Sequence, residues 1–139
     1  MKPNNVIYLK CTDESFFRMW MEFLTPFHRL TAREKDVAAR FLIQWLKFKD
    51  SVQDEETLVE LMWSKRSRRD MIESLKMSQA HFQIVIGKLR QSGFLIGDVI
   101  NPKYIPDRRD GESRFMLQVV YDWSSTANPI HNERETVEE

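Results

Sequence analysis

The chain has 139 residues, 42% of them hydrophobic, enough for one domain around one core and too little for two independent ones. Lys and Arg number 21 against 21 Asp and Glu, so the formal net charge is zero and no whole-chain field selects nucleic acid or an anionic membrane; a basic signal has to be local. The single cysteine, Cys11, has no internal disulfide partner and no Cys/His pairs stand at zinc-ligand spacing, which predicts a reducing compartment, no metal and no cofactor.

In chain order, Val6–Lys10 is a short β-prone run around Val6, Ile7, Tyr8 and Leu9, without the small-residue cleavage site of a secretory signal. No apolar run approaches the roughly 18 residues that a membrane span needs, so no membrane partner is expected. Thr12 and Asp13 offer N-cap chemistry to an aromatic helix over Glu14–Leu24, stopped by Thr25-Pro26. Phe16, Phe17, Met19, Trp20, Phe23 and Leu24 nearly encircle that helix, as in one buried on several sides or offered to another chain. Thr31 and Glu34 have capping-box spacing, which predicts a helix over Ala32–Lys49. Along it, Val37, Phe41, Leu42, Trp45 and Phe48 form a core stripe, with Arg33, Asp36, Arg40 and Lys47 facing water.

Asp54 caps a further helix bearing Leu58, Leu61 and Met62, and Ser64 separates it from another over Arg66–Leu75. After Lys76-Met77, Ser78 is the N-cap of a helix over Gln79–Gln91 that stops at Ser92-Gly93. From Phe94 the period changes. Phe94–Ile96 leads through Gly97-Asp98 into Val99, Ile100, Tyr104 and Ile105, a run that Pro102 and Pro106 break. Asp107–Ser113 reads as a loop and Arg114–Trp123 as a strand, with Phe115, Leu117, Val119 and Tyr121 alternating against Met116, Gln118, Val120 and Asp122. The predicted class is mainly α with a small β-hairpin wing, an α+β fold. Residues 1–30 form an N-terminal strand and helix packed on a domain of residues 31–123, and residues 124–139 form a disordered acidic tail.

The segment Arg69–Leu89 resembles the helix-turn-helix of DNA-binding proteins: Met71, Leu75, Met77, Phe82 and Val85 fill its apolar positions and Ser78 opens the recognition helix. With a hairpin behind it, the resemblance implies a winged helix-turn-helix. The chain departs from the pattern at Lys76, where the turn commonly has glycine, and at Ile72, where close packing favours alanine. A second resemblance rests on Leu30-Thr31-Ala32-Arg33-Glu34, His81-Phe82-Gln83, Gly87-Lys88-Leu89-Arg90, Gly93 and Ile100-Asn101-Pro102-Lys103-Tyr104-Ile105-Pro106. These are similar to a family of small proteins of crAss-like bacteriophages, which implies phage origin and a place in the host cytoplasm or the virion, and brings no activity with it.

Between Ser64 and Arg90, Lys65, Arg66, Arg68, Arg69, Lys76, Lys88 and Arg90 stand against Asp70 and Glu73, a local charge of +5. Lys65, Arg66, Arg68 and Arg69, at the start of a helix, are candidates for phosphate contacts. Lys103, Arg108, Arg109 and Arg114 form a second basic group, assigned to the wing. Turning Phe82, Val85, Ile86 and Leu89 inward leaves Ala80, Ile84, Gly87 and Gln91 outward, flanked by Ser78, Gln79, His81, Gln83 and Lys88. Gln can pair with adenine and Ala or Ile can touch a thymine methyl, so this face suits A·T-rich DNA. The same small residues beside Ile84 suit a protein partner.

There is no glycine-rich phosphate loop, no His-Glu-x-x-His and no serine elbow, so neither catalysis nor a small-molecule substrate is expected. The expected function is a phage-encoded regulator of transcription that binds double-stranded DNA, with a homodimer through the aromatic N-terminal helix. The alternative is a virion assembly or packaging protein, such as a small terminase subunit, that uses the same fold for phage or host protein contacts.

Overall fold

In the computed structural model, which describes residues 6–108 and 111–124, side-chain caps start five helices. The elements are α1 (Asp13–Phe23), α2 (Thr25–His28), α3 (Ala32–Lys49), α4 (Glu55–Met62), α5 (Lys65–Leu75), α6 (Gln79–Ser92), β1 (Leu95–Ile96), β2 (Val99–Ile100) and a 3₁₀ turn at Pro102–Tyr104. This is the expected α+β class. The caps are Thr12, Thr31, Asp54, Ser64 and Ser78, each accepting the N–H three residues on. At Thr12 and Thr31 the bond is returned by Ser15 and Glu34. Helix α1 ends at Phe23, with Leu24 as its C-cap, just before Thr25-Pro26 as expected, but a second short helix follows at once. Pro26 lies in the first turn of α2, where its missing N–H costs nothing, and Arg29 at φ 58° closes that helix.

The chain divides into two units, residues up to Ile105 and residues from Pro106. In the first, α3 is the central element and packs against α1, α4, α5 and α6. Phe41 lies between Trp63 and Phe82, at ring distances of 5.3 Å and 6.1 Å, and is wholly buried. Val37 and Leu42 are buried as expected, whereas Trp45 and Phe48 are half-buried and Lys35 and Gln44 are buried instead. On α1, Phe17 and Met21 are in the core, Phe16, Trp20 and Leu24 pack at its margin, and Met19 and Phe23 face outward.

Strands β1 and β2 pair antiparallel, Leu95 opposite Ile100 and Ile96 opposite Val99. Positive φ at Gly97, and not at Asp98, is the geometry of a two-residue II′ hairpin turn. Two expected strands do not form. Residues 6–10 and 114–123 are outside every strand of the described residues, because a strand requires a ladder partner and the one sheet there is two residues wide on each side. The expected acidic tail falls almost wholly on residues 125–139, outside the described residues.

Candidate nucleic-acid interface

Two contacts from α3 fix α5 from below. Gln44 Nε2 donates to Ser67 Oγ at 2.8 Å, both side chains buried, and the Arg33 guanidinium donates to the carbonyl of Leu75 at the end of α5. Lys76 then takes the left-handed conformation, φ 53°, where the helix-turn-helix pattern commonly has glycine, at a cost of about 1 kcal/mol. Its N–H reaches Glu73 O at 3.2 Å and that of Met77 reaches Ile72 O at 3.3 Å, closing α5 with the paired bonds of a Schellman-type end. Met71, Leu75 and Met77 are buried beneath this turn.

Ser78 restarts the chain as α6. Its hydroxyl oxygen accepts the His81 N–H at 3.1 Å, so this candidate serves first as a cap. Phe82, Val85, Ile86 and Leu89 point into the core, and Gln79, Ala80, His81, Gln83, Ile84, Gly87, Lys88 and Gln91 are exposed, as the helical period requires. Ile84 is 62% exposed at the centre of that face. A Cβ at Gly87 would meet nothing within 4 Å, so no packing inside the unit calls for glycine there.

Lys65, Arg66 and Arg69 are exposed on α5, whereas Arg68 is half-buried with its Nε enclosed and no hydrogen-bond partner. Lys76 and Lys88 are exposed as well. Among the described residues none of these cations is ion-paired, and the first turns of α5 and α6 contain no acid, in contrast to Asp13 and Glu14 of α1, Glu34 of α3 and Glu55 and Glu56 of α4. Ser64 and Ser78 each satisfy one N–H there, but no carboxylate in the first turn offsets the positive end of either helix dipole.

Arg90 is different. Its guanidinium lies 5.4 Å from the Trp63 ring centre, donates to Gly97 O at 2.9 Å and pairs with Asp98 at 2.8 Å, while Trp63 Nε1 donates to Asp98 O at 2.8 Å. That clasp, which holds the hairpin turn, joins residues 63, 90 and 98 and has no local sequence signature. It also removes Arg90 from the free charge of the segment.

The basic group assigned to the wing is not on the hairpin. Lys103 is on the 3₁₀ turn with its ammonium 5.3 Å from the Tyr104 ring centre, Arg108 is half-buried and Arg114 exposed in the second unit, and Arg109 lies outside the described residues. The reason is the missing strand 114–123, without which the hairpin ends at Ile100. Among the described residues no group of His, Cys, Asp and Glu is placed to hold a metal ion, and no helix is long and apolar enough to cross a membrane. No family model, curated protein or solved structure matches the chain.

Proposed function

We propose that the protein binds double-stranded DNA as a winged-helix type regulator of transcription, with α6 in the major groove and the start of α5 on the phosphates. The observation that carries this reading is the set of five exposed cations, Lys65, Arg66, Arg69, Lys76 and Lys88, that meet no carboxylate among the described residues, next to two helix N-termini without acids. A phosphate backbone supplies the missing negative charge at both places. The exposed face of Gln79, Ala80, Gln83, Ile84 and Gly87 then meets base edges, with the glutamines as hydrogen-bonding groups and Ile84 against a thymine methyl. The resemblance to crAss-like phage proteins assigns this regulator to the infected host cell.

Fluorescence anisotropy with a random duplex over a range of salt tests the reading. Affinity should fall steeply with salt, and replacing Lys65, Arg66 and Arg69 together by Ala should flatten the log–log slope by about 2.7 while the fold persists. A salt-independent signal, or an unchanged slope in the triple variant, removes α5 from any phosphate surface.

A second reading, a phage assembly or packaging protein, is favoured by the 62% exposure of Ile84 beside the open Gly87. Ile84→Glu separates the two. It puts a carboxylate against phosphate in the first reading, and in the second it leaves duplex binding intact while removing a protein partner.

A further inference from the structure

Residues 114–123 have the clearest strand alternation in the chain, yet the structure leaves them outside any strand. Met116, Val120, Tyr121 and Trp123 are between 75% and 89% exposed, and Leu117 and Val119 are about half exposed. A strand-prone run with apolar side chains open on both faces is normally covered. The described sheet, two residues on each strand, offers it no edge of matching length.

The occupant is written in the run itself, which is self-complementary about Gln118. When two copies lie antiparallel with Gln118 opposite Gln118, Arg114 faces Asp122, Phe115 faces Tyr121, Met116 faces Val120 and Leu117 faces Val119. Every pair occurs twice, as a twofold interface requires. Strand alternation puts both aromatic pairs and both Leu–Val pairs on one face, and both Arg–Asp pairs on the other with the Met–Val pairs. A slip by two residues sets Arg114 against Val120 or Ser124 and loses both ion pairs, and a slip by one sets the aromatic face of one copy against the opposite face of the other.

We propose that residues 114–122 are the pairing strand of a homodimer, joined antiparallel to the same residues of a second copy. The ribbon supplies a ladder partner that no strand of the described residues provides. Because a two-stranded ribbon is marginal by itself, the dimer forms in a concentration-dependent way.

Sedimentation velocity of the full chain without DNA, over about a hundredfold range of concentration, is the test. The chain should pass from monomer to dimer. Arg114→Asp and Asp122→Arg each set like charges opposite one another twice and should weaken the dimer by about tenfold or more. The double variant Arg114→Asp/Asp122→Arg restores both pairs and should return to within about threefold of the original affinity. As a second readout, Gln118→Cys in a Cys11→Ser background should form an interchain disulfide on mild oxidation, since directly opposed residues have Cα atoms roughly 4.5 to 5.5 Å apart. Tyr121→Cys, whose partner position is Phe115, should not. A chain that stays monomeric at every concentration overturns the proposal. So does a dimer indifferent to the single charge changes, which places the interface elsewhere, for instance on α1, or a double variant that fails to recover. None of these outcomes depends on DNA binding.

Discussion

Where α1 crosses α3, Arg18 holds Asp36 at 2.7 Å and Glu22 at 3.0 Å, Arg33 reaches the other Asp36 oxygen at 3.3 Å, Lys35 ends on Glu22 at 2.9 Å and Arg40 on Glu14 at 3.5 Å. On α5 and α6, Lys65, Arg66, Arg69, Lys76 and Lys88 have no such partners among the described residues. The same residue types thus do opposite things in neighbouring parts of one unit. At the seam the charges cancel and orient two helices; on α5, α6 and the turn between them they are left exposed to water. A net charge of zero hides this division.

Both regions hang on α3, so the largest effect comes from breaking the core between them. Phe82→Ala removes a fully buried ring stacked on Phe41 and should destabilise the unit by about 3 to 5 kcal/mol, seam and face together, in a single urea transition. Separate transitions for α1 and α6 would show that the two regions fold apart. A smaller change should loosen one side only. Gln44→Leu leaves the buried Ser67 hydroxyl without its partner, a cost of about 1 to 3 kcal/mol, and hydrogen exchange should quicken in α5 before α1.

The seam also contains the one buried imidazole among the described residues. His28 Nδ1 accepts the Leu30 N–H at 2.9 Å, so Nε2 carries the proton and donates to Met21 O at 2.8 Å. Burial, the largest influence, and the nearby Lys35 hold the imidazole below its usual 6.5, against the opposing pull of the Met21 carbonyl and Glu22. The unfolded chain therefore takes up the proton first. Stability should be level above the unfolded value and decline as pH falls below 6.5 toward the lower folded value, because ν(U) exceeds ν(N) in that interval. Melting temperatures from about pH 7.5 to about pH 5 check this, with His28→Gln as the control. An equal decline in the control assigns the pH dependence to other groups.

Local chemistry made much of this legible in the residues. Capping residues are read within four positions of the helix they start, so Ala32–Lys49 and the start of α6 at Gln79 come out where the structure has them. The inward set of α6 follows from period alone. What failed was non-local. Residues 6–10 and 114–123 have strand composition, but a strand exists only where a second one lies beside it, and composition does not supply the neighbour. Likewise Arg90 reads as one more cation until Trp63 and Asp98 are seen around it, and Arg68 reads like Arg69 until its Nε is found enclosed. The seam at Asp36 lay hidden for the same reason, since Arg18 is 18 residues away.

The smallest expected effect on stability gives the sharpest division between the regions, because its sign differs. Lys65 opens α5, next to N–H groups and a dipole end with no acid in the first turn. Lys65→Glu supplies that acid and should stabilise the unit by about 0.3 to 1 kcal/mol, with the gain fading at high salt. On DNA the same carboxylate meets phosphate, so affinity should drop and the log–log salt slope should flatten by about 0.9. Stability and binding move in opposite directions only if the site is kept basic for a partner at a cost to the fold. The matching reversal at the seam, Arg18→Glu, places a carboxylate beside Asp36 and Glu22 and should lower the melting temperature while leaving duplex affinity unchanged. Should Lys65→Glu leave duplex affinity unchanged, or lower stability like Arg18→Glu, the unpaired cations of α5 would be a solvated helix end and the contrast between the two regions would carry no functional meaning.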